Sequence, residues 1–167
     1  LVRDLRRAGL LHDLGRVAIT SGIWDKAMPL TDHEREKVRL HTYIGERVLA
    51  RAPALAPLAE LACLAHERLD GAGYHRRLPA AACPPAARIL AAADVYCALV
   101  EVRPHRPAFT RDGAAAELQK MAAAGTLCPD ATRFVLEAAG HRAPKAERAA
   151  GLTDREVEVL RLLARGL

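Results

Sequence analysis

The sequence predicts an all-α fold, and three observations carry that expectation. Its apolar content, 51% of 167 residues, comes mainly from Ala, Leu and Val, with only 4% aromatics; Ala and Leu are the most favourable helix residues, and β-branched runs are scarce. Thr31 followed three residues later by Glu34 has the pattern of a capping box that opens a helix. The paired Pro84-Pro85 precedes an alanine-rich run that ends near Arg103-Pro104, and a residue before proline is pushed out of helical geometry.

Taken in order, Leu1, Leu5 and Ala8 already follow a helical period at the first residue. The next helix is expected from about 31 to 50, with Val38, Ile44, Val48 and Leu49 giving it a buried side. Another should run from Ala54 to about Leu69, ending where Asp70-Gly71-Ala72-Gly73 supplies turn chemistry. A loop of roughly fifteen residues follows, then a long helix from about Ala86 to Val100, then helices beginning at Thr110 and Asp130. Length and composition suit one compact domain over residues 1–140 with a small appendage. Residues 141–151 lack apolar periodicity beyond alanine and read as a linker. A further amphipathic helix is expected from Thr153 to Arg165. Both ends of the chain read as cut from a longer protein.

The net charge of +5 is spread among acidic residues without a long basic block, which fits anionic partners without specifying one. Cys63, Cys83, Cys97 and Cys128 form no CxxC pair, so reduced thiols are favoured over disulfides or zinc. No apolar run reaches membrane-spanning length, and a cytoplasmic protein without membrane contact is expected.

The residues that carry chemistry begin with His12-Asp13, where one helix end offers a neutral nitrogen and an anionic oxygen to a metal. Asp94 stands among Ile89, Leu90, Ala91, Ala92, Ala93, Val95 and Leu99. An unpaired charge in such surroundings is costly, so either a divalent metal or an arginine such as Arg88 or Arg103 should sit beside it. His41 alone would read as a hydrogen-bonded histidine, and Arg16 alone as a surface residue after the Gly15 turn.

In sequence order, His12-Asp13, His41, His66-Glu67-Arg68-Leu69-Asp70-Gly71-Ala72-Gly73-Tyr74 and Asp94 resemble the metal-dependent HD superfamily, and within it the HD-GYP family of cyclic dinucleotide phosphodiesterases. The resemblance implies an HD-domain-like helical bundle in which iron or manganese, one or two ions, activates water against the phosphorus of cyclic di-GMP. It implies metal ligands at His12, Asp13, His41, His66 and Asp94. His12, Asp13 and Asp94 would hold the first ion, and Asp13 would bridge to a second at His41 and His66. Arg16 falls where the family usually has lysine, and Asp13 and Arg16 would be the catalytic pair. Arg16, Gly73, Tyr74 and Arg103 would meet the substrate.

Four positions depart from the family pattern. Thr42 replaces a proline, which should weaken the definition of a helix start. Ala65 stands where the family has a second histidine, removing a nitrogen from the second ion; His75 replaces proline in the Gly-Tyr-Pro signature and is the one nearby candidate to substitute for it. Cys97 replaces the second aspartate of Asp-x-x-Asp. The leading expectation is therefore a cyclic dinucleotide phosphodiesterase. A catalytically impaired sensor that binds nucleotide or metal, and a packing or dimerisation module, are the alternatives, and a homodimer is compatible with each.

Residues 152–167, with Leu-Thr-x-Arg-Glu-x-Glu-Val-Leu and a closing Ala-x-Gly, resemble the opening of a LuxR-type helix-turn-helix domain. The resemblance implies coupling to transcription. Binding DNA needs a recognition helix in the major groove, so it is expected only of the complete C-terminal domain and not of this chain, where Arg155, Arg161 and Arg165 also fit a solvated helix face.

Overall fold

The computed structural model describes residues 2–141. The expected linker beyond His141 and the LuxR-like segment, together with Leu1, lie outside the described residues. Among the described residues there are seven α-helices and no strand, with one isolated antiparallel bridge between Arg103 and Arg106. The all-α expectation is met.

Helix α1 spans Val2–Leu11 and buries Ala8. A 3-10 turn at Leu14–Ala18 and the short α2, Ser21–Trp24, follow. Helix α3, Asp32–Leu49, opens on the expected capping box: the Glu34 amide donates to Thr31 Oγ1 and the Thr31 amide donates to the Glu34 carboxylate. Its buried positions Val38, His41, Thr42, Gly45 and Leu49 recur at three- and four-residue intervals, the stripe of a helix with one face in the core.

Helix α4 covers only Ala56–Cys63, a correction to the helix expected through Leu69. Leu64 leaves helical geometry at φ −88°, ψ 0°, and the chain turns into a loop anchored from within. The Glu67 carboxylate, 2% exposed, accepts from the Arg76 amide at 3.2 Å and the Leu78 amide at 3.0 Å. These bonds satisfy loop backbone donors that lie outside any helix. Helices α5, α6 and α7 span Pro85–Val100, Arg111–Ala123 and Pro129–Ala138. Pro85 and Pro129 stand in the first turns of α5 and α7, where a missing amide donor is harmless. Thr110 caps α6 by accepting from the Gly113 amide.

Helix α5 is shared by two apolar clusters. Ala91, Ala92 and Tyr96 pack with Leu118 of α6, with Ala131, Val135 and Leu136 of α7, and with Leu127. Leu90 packs with Ala8, Leu49, Ala59, Ala62 and Ala65 from the α1, α3 and α4 region. Asp94 is thereby carried on a helix that packs into both clusters. His141, the first residue of the expected linker, is still tied to the bundle: its ring meets the Tyr96 hydroxyl at 2.9 Å and its amide donates to Leu136 O.

The closest approach in the fold is between the 3-10 turn and α3. A Cβ on Gly15 would lie 1.8 Å from the His41 carbonyl oxygen and 2.6 Å from the Gly45 amide nitrogen. Only glycine permits that contact, and it sets Asp13 beside His41. Gly15→Ala is therefore expected to destabilise the protein by roughly 1–3 kcal/mol or more in urea unfolding. Gly22→Ala, where nothing stands within 4 Å of the added carbon, is expected to be neutral.

Candidate metal centre

His12 and Asp13 occupy the turn between α1 and the 3-10 segment, His41 the middle of α3, His66 the turn after α4, and Asp94 the inner side of α5. Four separate segments thus converge. Asp13 Oδ1 lies 3.3 Å from His41 Nε2, 3.6 Å from His12 Nε2 and 3.6 Å from His66 Nε2. Asp94 Oδ1 lies 3.3 Å from His12 Nε2, and Asp94 Oδ2 lies 3.1 Å from His66 Nδ1. One ligand atom each from His12, Asp13 and His66 fall within 4.8 Å of one another.

The far sides of two rings are fixed by the backbone. His12 Nδ1 donates to Gly9 O at 2.7 Å and His41 Nδ1 donates to Val38 O at 2.6 Å, since a carbonyl oxygen only accepts. In the neutral tautomer that leaves each Nε2 with a lone pair, just as a carbonyl behind a metal-binding histidine fixes its tautomer and aims its free nitrogen. Nε2 of His12, His41 and His66 are buried and make no hydrogen bond. Buried, unbonded polar atoms are costly, and three of them aimed at one carboxylate are the chemistry of a site for a divalent ion.

The electrostatics agree. Burial opposes ionisation of Asp13, but His41, His66 and Arg16 outweigh it and hold the carboxyl well below the usual range. Burial likewise opposes ionisation of Asp94, and His12 and His66 overcome it. The Asp94 carboxylate facing its ring, working against burial and helped by Asp13, raises His12 to about 9. Neither arginine considered from the sequence pairs with Asp94: Arg88 donates to Cys83 O and Ala80 O, and Arg103 pairs with Glu101 at 3.0 Å.

A cavity of about 900 Å³ opens beside the cluster, and Asp13, Arg16, His41, His66, Tyr74, Asp94 and Arg103 line it. Tyr74 stacks on His66 at 4.6 Å between centroids, tilted by 18°. Arg16 Nη1 donates to Asp13 Oδ2 at 2.8 Å, so the two oxygens of Asp13 are divided between the histidines and the arginine. Gly73 is not among the cavity-lining residues; it is buried, and a Cβ there would come 2.7 Å from the Arg68 amide nitrogen and from Glu67 Cα.

The departures noted in the sequence have definite places. Thr42 lies inside α3 rather than at a helix start, because the chain is continuously helical from Asp32; its hydroxyl donates to Arg39 O. His75 turns away from the cluster, meeting Thr42 Oγ1 through Nδ1 at 2.8 Å and approaching Glu46 through Nε2 at 3.8 Å. It does not supply the nitrogen absent at position 65. Ala65 is fully buried in the apolar cluster with Ala8, Ala62 and Leu90. The sequence reading overlooked Trp24, the single tryptophan of the chain, which lines the cavity and meets His41 edge-on at 5.8 Å between ring centroids. Its rarity in a chain so poor in aromatics was the available signal.

The sign of the pH dependence follows from His12. Its value rises from 6.5 to about 9 on folding, so the stability it contributes to metal-free protein is complete below pH 6.5 and lost as pH climbs through 9. Urea midpoints of metal-free protein are expected to fall between pH 6.5 and 9, and His12→Gln to flatten that slope. Because a metal and a proton compete for Nε2, affinity for Mn²⁺ should rise over the same interval.

Comparison with known proteins agrees with this geometry. The family model described as HD domain matches residues 1–127. A cyclic di-GMP phosphodiesterase of Vibrio cholerae is 39% identical over 119 residues, 67% of this chain and 24% of that protein. A 3'3'-cGAMP-specific phosphodiesterase of the same organism is 36% identical over 116 residues, 70% of this chain and 25% of that protein. A cyclic di-GMP phosphodiesterase of Pseudomonas aeruginosa is 37% identical over 142 residues, 84% of this chain and 34% of that protein. The chain thus spans about a quarter to a third of the length of these relatives. On the extent of the match, the chain belongs to the HD domain family.

Proposed function

We propose that residues 1–140 form a divalent-metal phosphodiesterase domain of the HD-GYP type whose substrate is a cyclic dinucleotide, cyclic di-GMP in the first instance. The observation that carries this reading is the convergence of three unbonded imidazole nitrogens on Asp13 Oδ1 in the wall of a large cavity. The names of the relatives, which act on cyclic di-GMP or 3'3'-cGAMP, support the substrate class.

In this reading His12, Asp13, His41, His66 and Asp94 hold one or two ions of iron or manganese. Once bound, such ions would lower the pKa of water and offset phosphate charge. The chain's own residues do the rest. Asp94 orients His66 through Nδ1, Asp13 divides its charge between the ligand side and Arg16, and Tyr74 covers one face of His66. Arg16 and Arg103 bring positive charge to the cavity wall, where an anionic phosphodiester is held.

Residues 152–167 are read as the start of a LuxR-type domain through which a complete protein would couple the nucleotide to transcription in the cytoplasm. A second reading, a sensor that binds without turnover, is favoured by two observations: Ala65 is embedded in apolar side chains, and His75 points to Thr42 instead of the cluster.

Chromatographic assay of the chain loaded with Mn²⁺ or Fe²⁺ under anaerobic conditions separates the two. Hydrolysis of cyclic di-GMP is expected, with His66→Gln lowering it roughly a hundredfold or more, since losing even a hydrogen-bond partner behind a metal ligand costs about 10–100-fold. Saturable nucleotide binding with no product would decide for the sensor.

A further inference from the structure

The wall of the cavity next to the metal cluster holds a pair of groups that none of the roles above employs as a pair. The Arg16 guanidinium lies over the Trp24 ring, 4.1 Å from its centroid, while its Nη1 donates to Asp13 Oδ2. The plane of the arginine is thus fixed on one side by the indole and at one nitrogen by the aspartate. Its remaining N–H groups belong to a side chain that lines the cavity. A planar guanidinium can be held in this way, whereas a lysine ammonium has no face to stack.

Trp24 adds a second donor. Its Nε1 is buried and has no hydrogen-bond partner, although an indole N–H normally finds one when buried. Of the five buried side-chain polar atoms without a partner among the described residues, three are the His12, His41 and His66 nitrogens that face Asp13, and one is the Thr132 hydroxyl on α7. Trp24 Nε1 is the fifth, and its ring is packed edge-on to His41. The indole therefore belongs to the same centre by position and shares with the histidines the absence of any partner from the chain.

We infer that Arg16 and Trp24 form a two-donor clamp for a non-bridging oxygen of the phosphodiester, with Trp24 both a substrate-binding residue and the plate that sets the angle of Arg16. The inference rests on the phosphodiesterase reading and adds to it the element that recognises the phosphate independently of the bases. A stacked arginine loses little freedom when it binds, and an N–H bonded to a charged oxygen is one of the stronger hydrogen bonds a side chain makes. The stack also gives Asp13 a constant partner for Oδ2, so that Oδ1 stays toward the histidines.

The test uses the metal-loaded chain and two probes, inorganic phosphate by calorimetric titration and cyclic di-GMP by steady-state hydrolysis. Trp24→Phe keeps the ring and removes only the N–H. It is expected to weaken phosphate binding and raise KM by roughly tenfold, the scale of one hydrogen bond to a charged group, with the loss falling on KM more than on kcat. Arg16→Lys keeps the charge but loses the stack, and carries the test by itself if Trp24→Phe fails to fold. It is expected to weaken phosphate binding as well and to abolish the phosphate-induced change in fluorescence of Trp24, the one tryptophan present. Phosphate affinity within twofold of wild type in folded Trp24→Phe or in Arg16→Lys, alongside wild-type hydrolysis, would overturn the clamp and leave the phosphodiesterase reading standing. A wild-type chain that neither binds phosphate nor hydrolyses the nucleotide would overturn both.

Discussion

Asp13 Oδ1 is the point on which the site depends. Three imidazole nitrogens from three segments lie within 3.6 Å of it, and the carboxylate is half-buried among them. Such a charge is tolerable only with positive partners at hand. Arg16 and the facing His41 and His66 rings stabilise it, so the same groups that would bind a cation also favour the ionised carboxylate. Each of the three histidines is fixed from behind, by Gly9 O, Val38 O or Asp94.

That geometry is held by a few contacts in the fold rather than by the fold as a whole. The glycine approach of Gly15 to α3 presses the turn bearing His12 and Asp13 against the helix bearing His41. Helix α5 places Asp94 between two apolar clusters, where its carboxylate is only 17% exposed. The buried Glu67 gathers the loop from 67 to 78, and Tyr74, carried on that loop, lies flat on His66. Core packing thus supplies the walls, and the backbone turns supply the aim of the side chains.

Most of the helices were legible in the sequence because their limits are set locally, by Thr31 with Glu34, by Thr110, and by the Pro84-Pro85 pair. The end of α4 was not: the chain leaves helical geometry at Leu64, and Glu67 then bonds amides nine and eleven residues later, a tertiary contact that periodicity does not contain. The five candidate ligands could be named only through the family resemblance, and the structure brings all five to one place. The partners of Asp94 could not be chosen between metal and arginine, since composition around one helix says nothing of what faces it across the bundle. His75 shows the same limit: its sequence position made it a candidate nitrogen, but the turn after Gly73 sends it toward Thr42 and Glu46. Trp24 escaped notice because a lone aromatic has no pattern, and its meaning comes only from Arg16 over its face and His41 at its edge.

The central claim is that Asp13 focuses these ligands on a divalent ion, and metal content tests it most directly. Elemental analysis of anaerobically purified chain should find one to two equivalents of iron or manganese in wild type. Asp13→Asn, which keeps the shape and removes the charge, should hold almost none while still folded by circular dichroism. Equal metal content in the two proteins, or none in wild type after reconstitution with Mn²⁺ at alkaline pH, would contradict the account.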